Sequence, residues 1–190
     1  MGLSPNEPEV HGLVALMELQ ASRLRARVNQ AGEPVLLADQ DRGRWDHTLI
    51  RRGLASLELA VKPGSGLGRY GLQAAIAACH ARARTFEETD WTRIAALYDG
   101  LAQLAPSPVV ELNRAVAHTM AFGPVAGLEI IDRVREDPAL AEYHLLPSVR
   151  ADFLARLGRF DEARAELERA AALTENVRER NLLLERARGL

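Results

Sequence analysis

The chain reads as an all-α protein: a right-handed α-solenoid, or stack of antiparallel helix hairpins, preceded by two N-terminal helices. Three observations predict this. Alanine and leucine, the best helix formers, dominate the composition, and β-branched residues are sparse. Apolar residues recur at steps of three and four along most of the chain. Across residues 144–177, small residues fall where two antiparallel helices would touch: Ala151, Gly158, Ala163 and Ala170. A large side chain at these places would push the two helices apart.

The elements follow in order. From Glu7 to about Asn29, Val10, Leu13, Val14, Met17, Ala21, Leu24 and Val28 form a helical stripe, which the Gly32 and Pro34 region should end. A second helix runs to about Val61, with Trp45, Leu49, Ile50, Leu54, Leu57 and Val61 inward. Residues 62–68 hold three glycines and a proline, the most flexible-looking stretch. Helices then come in pairs: 70–84 with 90–105, 107–122 with 124–136, and 139–157 with 160–173. Thr89 or Asp90 is the natural N-cap of the 90–105 helix. A last helix, 176–188, would seal the open end.

The 144–177 hairpin is tetratricopeptide-like, and such hairpins cannot bury their apolar face without neighbours. Gly123 and Gly158 sit at equivalent turns 35 positions apart, which suggests three degenerate units at about 75–108, 109–143 and 144–177. The expected organisation is an N-terminal pair over 7–62 and repeats over 69–190, together one compact domain.

Composition excludes several function classes. A net charge of −2 argues against a free-standing nucleic-acid binder. No apolar run is long enough to span a bilayer, and no basic segment followed by an apolar one opens the chain. Cys79 is the single cysteine, so no intramolecular disulfide is expected and a reducing cytoplasm fits. His11, His47, His80, His118 and His144 lie far apart, in no metal-ligand spacing. No nucleophile elbow, phosphate-binding loop or dinucleotide fingerprint occurs, so no catalytic, metal or cofactor residue is assigned.

The densest polar stretch is Asp39, Gln40, Asp41, Arg42, Gly43, Arg44, Trp45 and Asp46. One reading makes Asp41 or a neighbour a helix cap and Trp45 a core anchor. The other makes Asp39, Asp41, Arg42, Arg44, Trp45 and Asp46 a docking surface, because tryptophan and arginine carry binding energy at interfaces. Tyr70 and Gln73 on one helix, and Asn113 and Arg114 on another, interrupt apolar faces and join the candidate partner-binding set.

This stretch resembles the DQDRSRWD signature of bacterial extracytoplasmic-function sigma factors that carry a tetratricopeptide-like C-terminal extension. Leu13-Val14-Ala15-Leu16-Met17 resembles that group's LLALM, and Tyr70-Gly71-Leu72-Gln73-Ala74-Ala75-Ile76-Ala77-Ala78 its YQLQAAIAA. Thr89-Asp90-Trp91 through Asp99 resembles TDWxxIAxLYD, and residues 107–117 resemble SPVVxLNRAVA. Gly43 stands where the group more often has serine, and Gly71 departs from the YQLQ pattern. The resemblance implies the extension alone, without the sigma regions that bind promoter DNA, so no residue here is expected to touch nucleic acid. Its implied role is regulation of transcription initiation by contact with sigma-factor core regions or RNA polymerase; self-association as a homodimer stays open. Two other readings are an adaptor that takes a peptide in the groove near Asn113, and a small-ligand sensor. The sensor's pocket would lie between the first two helices and the repeats.

Overall fold

In a computed structural model, the described residues are 7–61 and 66–190. They form nine α-helices joined by short 3-10 turns, with a single isolated bridge, between Val28 and Pro34, as their only β-type pairing. The all-α expectation holds, and helices pack with their sequence neighbours in hairpins. Lys62 to Ser65 of the predicted flexible stretch lie outside the described residues. Among the described residues, no helix is long and apolar enough to cross a membrane. The chain divides into two compact units, Met1–Ala105 and Pro106–Leu190. That division falls between the first two expected repeat units, so the first paired helices group with the N-terminal ones.

The first unit contains α1 (Pro8–Ala21), α2 (His47–Ala60), α3 (Arg69–Arg82) and α4 (Trp91–Leu104). Its core gathers Ala15, Leu19, Trp45, Ile50, Leu57 and Ala74. α1 ends eight residues before the expected Asn29. The Ser22 hydroxyl donates to the Leu19 carbonyl at 2.7 Å, and the Ser22 carbonyl accepts the Asp46 N–H at 2.8 Å. That tertiary tie turns the chain into the 3-10 turn Leu24–Ala26, and propensity cannot foresee it. α2 buries Ile50 and Leu57 as expected, but Val61 is exposed because the helix stops at Ala60.

α3 starts at Gly68, which has no capping side chain. Glu9 supplies the cap from α1, its carboxylate accepting the Tyr70 N–H at 3.1 Å and the Gly71 N–H at 3.3 Å. α4 starts at Asp90, whose carboxylate accepts the Arg93 N–H at 2.9 Å.

The second unit contains α5 (Pro108–Phe122), α6 (Pro124–Val134), α7 (Leu145–Arg156), α8 (Phe160–Leu173) and α9 (Val177–Arg188). Gly123 and Gly158, at φ 95° and 74°, make the two hairpin turns in the left-handed region that glycine tolerates best. Ala151, Ala163 and Ala170 are buried between α7 and α8, as their spacing predicts. α7 starts at Leu145 rather than Ala139. Asp137 caps a 3-10 turn, Pro138–Leu140, and Leu140 drops into the core with Leu146 and Phe153.

Candidate functional site

The 39–46 stretch lies in the first unit as a run of tight turns. Asp39 closes the 3-10 turn Leu37–Asp39 and is exposed. Asp41 opens the next, Arg42–Arg44, by accepting the Gly43 N–H at 2.9 Å. Asp46 caps α2, accepting the Thr48 N–H at 2.9 Å and the Leu49 N–H at 3.1 Å. The Leu49 hydrogen bond is the main reason its carboxyl sits below the usual range. Two of the three carboxylates are therefore committed to the backbone.

Trp45 is only 4% exposed and packs in the core. It holds the unit together and is not available as contact area for a partner, which corrects its place in the docking set. Indole supplies more apolar area than its neighbours, so a tight turn that aims it inward is worth more inside than out.

Arg42 is the other inward residue. One terminal nitrogen donates to the His80 carbonyl and, at 3.0 Å, to the Ala83 carbonyl; the other donates to Thr89 Oγ1 at 3.3 Å. Those carbonyls end α3, where the helix dipole is negative and acceptors lack intrahelical partners. The guanidinium also lies 5.0 Å from the Trp45 ring, with that of Arg23 at 5.7 Å. Arg42 thus latches the end of α3 and the start of α4 to the Trp45 turn. Burial lowers its pKa, with Glu87 and Glu88 opposing that shift.

His80 sits under this latch, its ring edge-on to Trp91 at 5.2 Å. Its Nδ1 is buried, with no hydrogen-bond partner among the described residues. Burial, and then Arg23 and Arg42, push its pKa from 6.5 to about 4. The unfolded chain therefore takes up this proton below pH 6.5, whereas the folded chain resists it until about pH 4. Stability from this group is complete above pH 6.5 and is lost as the pH falls towards 4. The expected loss is about 2–3 kcal/mol. Thermal melts of wild type and His80→Gln should diverge across that window; parallel curves would refute the assignment.

Two hollows open beside the latch. A cleft of about 350 Å³ is lined by Arg42, Trp45, Ile50, Arg82 and Arg84 among others. A shallower one of about 240 Å³ shares Arg42 and Arg84 and adds Phe86 and Glu87. The larger cleft lies between the Arg42–Ile50 stretch and the end of α3.

The remaining candidates lie elsewhere. Arg44 is exposed beside the latch. Tyr70 is 37% exposed at the other end of α3, about 15 Å from His80 at 1.5 Å per residue. Gln73 turns back to donate to the Arg69 carbonyl at 3.3 Å. Asn113 and Arg114 belong to the second unit, where Asn113 is exposed and donates to the Val109 carbonyl at 3.0 Å, and Arg114 pairs with Glu111 at 3.0 Å.

Another surface was not singled out from the sequence. α1 carries apolar residues on two sides: Gly12, Ala15 and Leu19 face the core, while Leu13, Val14 and Met17 are 37%, 40% and 62% exposed. Leu24 and Val28 beyond it are exposed as well. The stripe that signalled the helix is thus its outer face, and the small residues between make the packed one. The signal for this was the run Gly12, Ala15 and Leu19 at helical spacing.

Residues 1–61 match a family model described as a family of unknown function (DUF6596). An uncharacterized protein of Rhizobium meliloti (strain 1021) is 46% identical over 177 residues, which cover 93% of this chain and 41% of the relative. The chain therefore spans less than half of that relative's length. No solved structure matches the chain.

Proposed function

We propose that this chain is a regulatory C-terminal domain of an extracytoplasmic-function sigma factor. On this reading it modulates transcription initiation by contact with sigma-factor core regions or RNA polymerase, in the cytoplasm and without touching DNA. The observation that carries the reading is the exposed apolar face of α1. Leu13, Val14 and Met17 share one side of the helix, and an uncovered patch of large apolar side chains marks a contact surface. The ordered series of sigma-extension motifs names the partner class. The greater length of the relative supports the reading as well, since it leaves room for sigma regions beside a domain of this kind. The helix hairpins serve on this view as a tetratricopeptide-like scaffold.

The test is transcription by polymerase holoenzyme whose sigma regions carry this chain as an extension. Met17→Asp places a charge at an exposed position, where substitutions usually change stability by less than about 0.5 kcal/mol. It should alter output at least several-fold, towards the level seen when the extension is removed. Unchanged output from a folded Met17→Asp protein rejects the α1 contact. Unchanged output on removing the whole extension rejects the function.

A second reading, a small-ligand sensor, is favoured by one observation, the arginine-lined cleft beside Trp45. The two readings are compatible, because a ligand that binds only the folded state also stabilises whatever surface that state presents.

A further inference from the structure

We propose that the cleft beside Trp45 is a binding site for a small organic anion, a phosphate monoester or a carboxylate, held by Arg42, Arg82 and Arg84. The proposal gives the sensor reading its ligand class, and it stands whether or not the chain regulates a sigma factor.

The lining chemistry is one-sided. Three arginines are among the residues that line the cleft and no carboxylate is, although Glu87 and Glu88 lie near enough to act on Arg42. Arg82 and Arg84 are exposed, and among the described residues neither has a carboxylate at ion-pair distance. The end of α3 opposes an anion with about half an elementary charge. Three cations outweigh it, and Arg42 already covers the His80 and Ala83 carbonyls.

The site is also preorganised. Arg42 is fixed by three hydrogen bonds and by the Trp45 ring at 5.0 Å, so little side-chain freedom is left to lose on binding. Those bonds occupy one terminal nitrogen fully and the second in part, leaving the Nε–H and one further N–H for a ligand oxygen. Guanidinium presents such hydrogens as a planar fork that matches phosphate and carboxylate oxygens. Trp45 and Ile50 also border the cleft, each less than one-tenth exposed. A volume of about 350 Å³ suits a metabolite-sized anion.

The test uses the whole chain with inorganic phosphate and with succinate, each compared with chloride at equal ionic strength. Arg82→Gln/Arg84→Gln is the informative variant, because both side chains are exposed and leave the Arg42 latch in place. Its melting temperature in chloride should match wild type, which shows that it folds. Phosphate or succinate at millimolar concentration should raise the wild-type melting temperature above the chloride value. Titration followed by calorimetry should show at least a tenfold weaker affinity for the variant. A stronger response to phosphate identifies a phosphoryl ligand, and a stronger response to succinate a carboxylate. No response beyond chloride to either anion, or an equal response from the variant, overturns the site.

Discussion

Arg150→Ala should destabilise the second unit by about 3–5 kcal/mol, the largest effect of any single substitution considered. Arg150 is 7% exposed and lies between two carboxylates, with Nε 2.9 Å from Asp132 and a terminal nitrogen 2.9 Å from Glu166. Glu166 is itself 9% exposed, and its second oxygen has only Arg169 within ion-pair distance, at 3.7 Å. That distance is too long for a hydrogen bond, and the oxygen is indeed without one among the described residues. Removing Arg150 therefore strands a buried carboxylate beside one distant cation. The cost comes from the charge left behind more than from the pair lost. Arg150→Met/Glu166→Leu removes both charges and should recover most of the loss. A chemical-denaturation series decides the matter: a double variant no more stable than Arg150→Ala would show that packing, and not the stranded charge, sets the penalty.

Gly12→Ala should destabilise the first unit by roughly 1–3 kcal/mol, although alanine is the better helix former by about 1 kcal/mol. The added Cβ would lie 2.7 Å from the Gly71 nitrogen, 3.0 Å from the Gly71 Cα and 3.1 Å from the Tyr70 carbonyl carbon. All three are backbone atoms, so no side chain can swing aside and α1 must move off α3. Overpacking of this kind typically costs about 1–3 kcal/mol. The movement also draws Glu9 away from the Tyr70 and Gly71 N–H groups that it caps, adding about another 1 kcal/mol. Thermal melting gives the sign directly. A Gly12→Ala protein as stable as wild type, or more so, would mean that propensity outweighs the helix crossing.

These two sites also mark how far the sequence can be read. α5 and α8 have the expected bounds because their stop signals are local: Ser107 and Pro108 start one, and Gly123 and Gly158 bracket the hairpin turns. α1 ends early because its stop comes from Asp46, which lies 24 positions beyond Ser22 in the chain. The polar stretch was legible as unusual, and its capping acids and inward Trp45 follow from ordinary residue chemistry. Its density of charge around an aromatic also pointed to a docking strip, although composition alone favours the capping and core reading. Only the fold shows that Asp41 and Asp46 face the backbone and that Arg42 reaches carbonyls some forty residues away. Arg82 and Arg84 carry no motif of their own and gain meaning from standing beside Arg42. The outer face of α1 was visible as apolar periodicity. Which of the two apolar sides of α1 is buried depends on close approach at Gly12, Ala15 and Leu19, and hydrophobicity alone favours the wrong side.

The central claim is that the contact surface is α1 and that the 39–46 stretch is architecture. Met17 tests it most directly, because a 62% exposed thioether oxidises readily to the sulfoxide and can be followed by mass spectrometry. Limited peroxide treatment of the chain, alone and with sigma regions and core polymerase added, gives the Met17 oxidation rate in each state. The account predicts strong protection of Met17 in the assembly. A Met17 rate unchanged by a partner whose binding is abolished by Arg44→Ala would contradict it, and would return the docking surface to the 39–46 stretch.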